Sequence, residues 1–246
     1  GLYLAASQTR LAANPRDKLL PSVATMVDAI KRTVFLPDQR SGKYLLAADT
    51  LSSLKRIGAG MSLAAAVSLL LGVNMGLFPG LRWLLLSFIT FMSNIPPLAL
   101  LPMLFIACGV GEVGKIVLIF IGTLFPMTRS VYATTHQIPA EQITKALTLG
   151  ASQLQVVYRV ILPQVMPRLL DAVRISLGAA WLFLIAAEAI ASTDGLGYRI
   201  FLVRRYLAMD VIIPYVLWIT CLAFGMDWLL RKIIAWRYAW YLAARG

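Results

Sequence analysis

The 246-residue sequence predicts an all-α integral membrane protein. Three observations carry that reading. Apolar residues make up 59% of the chain and charged residues only 14%, too few polar side chains to cover a water-facing surface. Several stretches long enough to cross a bilayer contain no charge at all. Their apolar residues run continuously, whereas membrane barrel strands alternate over about ten residues, so helices are the elements that can satisfy the backbone. A cytosolic enzyme, a disordered tail and a secreted disulfide scaffold are excluded. Cys108 and Cys221 both lie in apolar runs and suggest neither a disulfide framework nor a metal site.

Five spans are expected, near 57–79, 83–108, 113–132, 174–192 and 211–230. No charge lies between Arg56 and Arg82, or between Arg82 and Glu112. The uncharged run from Lys115 to Arg129 is short alone and takes in its flanks. Only Glu188 interrupts the fourth span and only Asp227 the fifth. Residues 1–6, Gly-Leu-Tyr-Leu-Ala-Ala, read as the end of a truncated first helix, which makes six native helices. The chain divides into that helix end with a polar segment (1–56), a membrane domain (57–232) holding a polar insert (133–173), and an interfacial tail (233–246). Trp236, Tyr238, Trp240 and Tyr241 with Arg231, Lys232 and Arg237 fit an aromatic and basic anchor.

Within the first visible span, Gly72 and Gly76 form a GxxxG pair, which permits close helix packing or reflects chance in a Gly-rich chain. Pro96, Pro97 and Pro102 fall inside 83–108. Prolines free backbone carbonyls and kink helices, which lipid tolerates only where protein or a cavity receives them.

The net charge is +12, from 23 Lys and Arg against 11 Asp and Glu. In a soluble chain this would suggest nucleic acid. Here the basic residues sit between apolar runs and read as membrane flanks. Nine of them crowd into residues 1–56, and the rest do not sort by side, so charge does not set the orientation.

The polar insert reads as two short helices. Pro139 suits a first helical turn, and Ile143, Ala146 and Leu147 form an apolar stripe. Gly150 is a helix terminator. Ser152 and Gln155 form a capping-box pattern that starts a second helix, closed by Pro163.

Residues 144–163, TKALTLGASQLQVVYRVILP, resemble the EAA loop of ABC-importer permeases. That pattern is Glu-Ala-Ala, three residues, Gly, nine residues, Ile, any residue, Leu-Pro. Ala146, Gly150, Leu162 and Pro163 match in register, and Val160 stands for Ile. Thr144 and Lys145 replace the Glu and the first Ala, so the namesake carboxylate is absent. NIPPLALLPM (94–103), GVGEVGKIVLIF (109–120) and AAEAIASTDGLGYRI (186–200) resemble, in order, segments of the nitrate/sulfonate/taurine group of these permeases. Residues from Gly178 to Val211 further resemble permeases encoded beside urea or guanidine carboxylases.

The resemblance implies a type I importer permease of the bacterial inner membrane. Two copies would form a path for a small polar solute such as nitrate, a sulfonate, taurine or a urea- or guanidine-like compound. A periplasmic or lipid-anchored binding protein would deliver the solute, and a cytoplasmic ATPase dimer would supply energy and hold ATP and Mg. The permease itself would carry no cofactor. Lys145, Ala146, Leu149, Gly150, Ala151, Leu162 and Pro163 would form the ATPase-coupling surface. Asn94, Pro96, Pro97, Glu188 and Asp194 are candidates for the path or its gate. Glu188 either lines the path or forms a structural ion pair, with Arg199 or Arg204 as partner. Asp194 to Tyr198, with Arg199, Arg204, Arg205 and Asp210, form a polar outer loop, either a receiving site for the binding protein or a solvated loop.

Other motifs carry less. Gly109 to Gly114 spell GxGxxG but join two spans, with Thr134 where an acid would be needed, so a tight turn is expected. No GxxxxGK[ST] is present. His136 is a single histidine at the edge of the insert and cannot build a multi-histidine metal site. A stand-alone secondary transporter would show internal repeats, and an intramembrane enzyme would cluster a nucleophile and a base in the spans; neither pattern is found.

Overall fold

The computed structural model describes residues 7–10, 12, 19–37, 42 and 44–243. The expected helix end at residues 1–6 lies outside them. Amphipathic α1 (Val23–Phe35) starts at Ser22, whose side chain accepts from the Thr25 backbone N–H at 3.2 Å. It is followed by α2 (Leu45–Leu77), α3 (Pro79–Ser93), α4 (Leu101–Cys108) and α5 (Glu112–His136). The insert holds α6 (Ala140–Thr148) and the short α7 (Gln153–Val156). Then come α8 (Leu162–Ala191), α9 (Leu196–Arg204), α10 (Met209–Arg237) and α11 (Ala239–Ala243). No strand occurs among the described residues.

Among the described residues, four helical stretches are long and apolar enough to cross a membrane: α2, α5, Gln153–Ala191 and α10. A fifth span is formed if the bent pair α3 and Pro97–Cys108 counts as one. The two halves of that pair meet at 86°. Pro96 and Pro97 cannot donate to the ladder, and the residue before each proline is pushed out of the helical region. The expected single 83–108 span is therefore two pieces joined by a short 3₁₀ turn, Pro97–Leu100.

The bundle is built around α2 and α5, which run parallel. A Cβ on Gly60 would lie 2.8 Å from Ile119, one on Gly72 2.5 Å from Val131, and one on Gly76 2.5 Å from Thr135. Residue n of α2 thus faces residue n + 59 of α5 along the whole contact. Gly60, Ala64, Ser68, Gly72 and Gly76 make an uninterrupted small-residue stripe at four-residue spacing, so the GxxxG pair is the end of a longer interface. Hydroxyls tie it: Ser68 donates to the Leu124 carbonyl at 3.0 Å and Thr128 to Ser68 at 3.2 Å. Helix α8 packs on the other side of α5, where the Phe183 ring lies against Gly122.

Two boundaries differ from the sequence expectation. The first span begins at Leu45, twelve residues before residue 57, because Asp49, Ser53 and Arg56 are buried rather than left in water. The second insert helix does not stop at Pro163. A π turn at Val157–Ile161, with Leu162 N–H donating to the Val157 carbonyl, widens the helix just ahead of the proline. That opening removes the clash of the ring with the preceding turn, and the helix continues from Gln153 to Ala191.

A Gly72→Val substitution forces a branched side chain against Val131 and the Tyr132 backbone N–H. It should destabilise the purified protein by about 1–3 kcal/mol, read as a lowered melting temperature in detergent. Gly225→Ala, where an added Cβ meets nothing within 4 Å, should leave it unchanged.

Candidate functional site

The end of the bundle carrying the insert and the end far from it each hold a distinct constellation. At the far end, the first turn of α5 lies beside the Ser53–Arg56 turn of α2, with the last turn of α8 and the loop to α9 closing over them. Arg56, 2% exposed, sits among three carboxylates. Its Nε donates to Glu112 at 2.6 Å, Nη1 to Glu188 at 2.8 Å and Nη2 to Asp194 at 2.5 Å. Lys115 bridges Glu112 and Ser192, each at 2.9 Å.

Glu188 is fully buried. Besides Arg56 it accepts from the Ser53 hydroxyl at 2.8 Å and the Gly197 backbone N–H at 2.8 Å. A charge this deep survives only with paired and hydrogen-bonded oxygens. Gly195 adopts φ +113°, and a Cβ there would lie 2.5 Å from the Glu188 carboxyl. Gly197 is equally confined by the Ile185 carbonyl at 2.8 Å. The two glycines of Asp194-Gly-Leu-Gly-Tyr198 let the loop wrap the carboxylate. This segment is a docked element that continues into α9, with Leu196 and Gly197 buried. The loop expectation is corrected here for residues 194–199, while Arg204 and Arg205 remain exposed.

Glu188 pairs with Arg56, not with Arg199 or Arg204. Arg199 is turned toward Asp49 instead, at 2.8 Å. Asp49 also accepts from Gly195 N–H at 3.1 Å. Asp194, outside the spans, is partly exposed. Burial alone would raise its pKa, but hydrogen bonds from Arg56 and Ser52 outweigh that and hold the carboxyl below the ordinary aspartate value. Burial of Arg199 opposes its charge, yet the Asp49 partner raises its pKa above the usual arginine value. Asp49, Ser53, Arg56, Glu112 and Lys115 went unrecognised in the sequence. The available signal was the spacing 49, 53, 56, which is one helix face continuing into the Gly60–Gly76 stripe.

Midway along the bundle, the broken span leaves a cavity of about 240 Å³ lined by Met92, Ser93, Ile95, Pro97, Phe125 and Phe183, among others. Asn94 caps α3, its amide donating to the Thr90 carbonyl at 2.9 Å. Asn94 and Pro96 are exposed and Pro97 is half-buried. Asn94, Pro96 and Pro97 therefore share one bend, whereas Glu188 and Asp194 belong to the far-end cluster.

The insert is a closed turn with an open face. Gly150 adopts φ +87°, its N–H donates to the Leu147 carbonyl at 2.9 Å, and Ala151 N–H donates to the Ala146 carbonyl at 3.0 Å. These are the two bonds of a Schellman cap. Ala146, Ala151 and Leu162 are half-buried against Val131, Val156, Ile161 and Val165. The Ser152–Gln155 capping box is formed, at 2.8 and 3.3 Å. Lys145, Leu149, Gly150 and Pro163 are exposed. Leu149, at 88% exposure, is one of four exposed large apolar residues of the insert, with Leu147, Leu154 and Tyr158. His136 ends α5, stacked on Tyr132 and 3.3 Å from Arg82.

Arg56→Met would leave the buried Glu188 carboxylate uncompensated. It should cost about 3–5 kcal/mol of stability, and adding Glu188→Met should restore much of the loss. Thermal unfolding of the two variants checks this. A single variant that melts like the parent would contradict the assigned pairing.

Comparison with known proteins converges on one family. Residues 64–235 match the family model described as binding-protein-dependent transport system inner membrane component. The chain is 37% identical to the taurine transport system permease protein of Escherichia coli K12, covering 75% of this chain and 69% of that protein. It is 33% identical to a putative ABC transporter permease of Methanocaldococcus jannaschii, covering 89% and 83%. It is 30% identical to the bicarbonate transport system permease of Synechococcus elongatus, covering 79% and 69%. A chain of the methionine ABC transporter MetNI, solved in inward-facing form, superimposes with a TM-score of 0.66 at 20% identity, over 77% of this chain and 94% of that one. That likeness establishes the shared fold. The chain belongs to the binding-protein-dependent transport system inner membrane component family and is the multi-pass inner-membrane permease subunit of an ATP-driven importer.

Proposed function

We propose that this permease works as a pair of identical copies and hands the movement of an ATPase dimer to its spans through residues 140–163. The observation that carries the reading is the insert itself. A Schellman turn with its inner residues packed on the bundle presents Leu147, Leu149, Leu154 and Tyr158 outward with nothing covering them. Exposed apolar groups held on a rigid turn mark a docking face. On this reading the insert end is cytoplasmic and the Arg56 end is periplasmic. Lys145, Leu149, Gly150 and Pro163 touch the ATPase. Ala146, Ala151 and Leu162 set the shape of the turn from beneath.

The solute path runs where two copies face each other across the bent α3–α4 pair, past Asn94, Pro96 and Pro97. The exposed Phe91, Met103 and Ile106 around that bend supply apolar surface for a second copy. Glu188 and Asp194 hold the periplasmic end together rather than touching solute, since Glu188 is sealed and Asp194 is tied to Arg56 and Ser52. The chain performs translocation without covalent chemistry, and ATP with Mg binds the partner subunits. Relatives named for taurine, sulfonate and bicarbonate transport support a small polar solute delivered by a periplasmic binding protein.

Leu149→Glu places a charge on the docking face without entering the core. The variant should fold and insert normally but lose at least about tenfold of ATPase co-purification, a penalty of about 1.4 kcal/mol. Undiminished co-purification would remove the insert from the coupling role.

A further inference from the structure

The groove between α3 and α5 holds polar groups that have no partner among the described residues. It is an open groove of about 580 Å³ in the half of the bundle nearer the insert. Its polar lining comes from Thr90 of α3 and from Arg129, Ser130 and Tyr132 of α5, with no carboxylate among the lining residues. Arg129 is exposed and makes no ion pair or hydrogen bond among the described residues. It precedes His136 by seven residues, about 10 Å along the axis at ~1.5 Å per residue, so it sits within the span rather than at its flank. An arginine inside a spanning helix faces a cavity or a partner.

The hydroxyls nearby fall into two sets. Ser93, Thr123, Thr128 and Thr134 all bond the carbonyl four residues earlier, at 2.7–3.0 Å. The hydroxyls of Thr90, Ser130 and Tyr132 make no hydrogen bond among the described residues. Residues carrying a guanidinium fork and three O–H groups therefore line one open space. A guanidinium matches the paired oxygens of a sulfonate, carboxylate or inorganic oxyanion, and hydroxyls complete such a shell. Glu188 offers no competing attraction for a cation, because Arg56 neutralises it at the other end.

We propose that Arg129, with the hydroxyls of Thr90, Ser130 and Tyr132, forms an oxyanion station on the solute path, so that the transported solute carries a negatively charged oxygen group and not a guanidinium-type cation. The proposal rests on the reading of this chain as the path-forming subunit. A phospholipid phosphate presents the same oxygens, and the test separates the two sources.

The assembled transporter, permease with its ATPase in nanodiscs, carries Thr90→Cys on a background of Cys108→Ser and Cys221→Ser. Its modification by the anionic reagent sulfonatoethyl methanethiosulfonate is compared with that by the cationic trimethylammonioethyl reagent, each normalised to a small free thiol. In neutral phosphatidylcholine the anionic reagent should react about tenfold faster, as expected for a unit positive charge a few ångströms away. Adding Arg129→Gln should abolish the preference, and Arg129→Lys should keep it. Equal rates that ignore Arg129→Gln overturn the station, and so does failure of both reagents to react. Selective slowing of the anionic reagent in phosphatidylglycerol nanodiscs assigns the site to lipid phosphate and overturns the solute reading. ATPase co-elution is scored in every arm, so a charge-blind groove in an assembled transporter refutes the station alone, while lost assembly refutes the subunit role.

Discussion

The close approach of α2 and α5 is the constraint on which the molecule depends. Two helices this near can touch only where one offers small side chains or none, and α2 offers Gly60, Ala64, Ser68, Gly72 and Gly76 in a line. In lipid there is no water to expel, so packing and interhelical hydrogen bonds must hold the pair. The Ser68 and Thr128 hydroxyls add the second of these. Because the contact has one register along its whole length, it also decides which residues meet at each end. Arg56 stands level with Lys115, one turn from Glu112.

That register makes the far-end charge cluster affordable. A guanidinium brought into this site alone would be prohibitively unstable. Glu112 arrives with α5, Glu188 with α8 and Asp194 with the loop beyond, so four separate segments must be in place before Arg56 has its partners. The network is specific for that reason. Ser53 touches both Glu188 and the Leu196 backbone N–H, while Asp49 holds Gly195 and Arg199. The loop is pinned by Ser53, 143 residues before Leu196 in the chain, and by Asp49, 146 residues before Gly195.

The membrane architecture was legible because lipid imposes it: runs without charge must be helices, and their order followed directly. The insert was legible for a local reason. Ala146, Gly150 and Ala151 are the residues a Schellman turn requires, and Ser152 with Gln155 are those a capping box requires. Glu188 was conspicuous as a carboxylate in an apolar run, but its partner was not, since the two lie 132 residues apart. Charge was the misleading signal there. Taking Arg56 as the edge of a span hid the helix that carries it, along with Asp49 and Ser53. Pro163 misled in the opposite direction, because a helix stop inferred from sequence does not foresee a π turn that accommodates the ring.

The continuous helix from Gln153 to Ala191 has a mechanical meaning. At ~1.5 Å per residue its 39 residues form a strut about 58 Å long. One end is built into the insert and the other carries Glu188 beneath Arg56. Rotated about its midpoint by about 5°, such a strut carries each end about 2.5 Å, in opposite directions. That is the length of a hydrogen bond. A displacement applied at Leu154 or Tyr158 is therefore of the right size to strain the Glu188–Arg56 contact on the opposite face of the membrane, with no change in the helix itself.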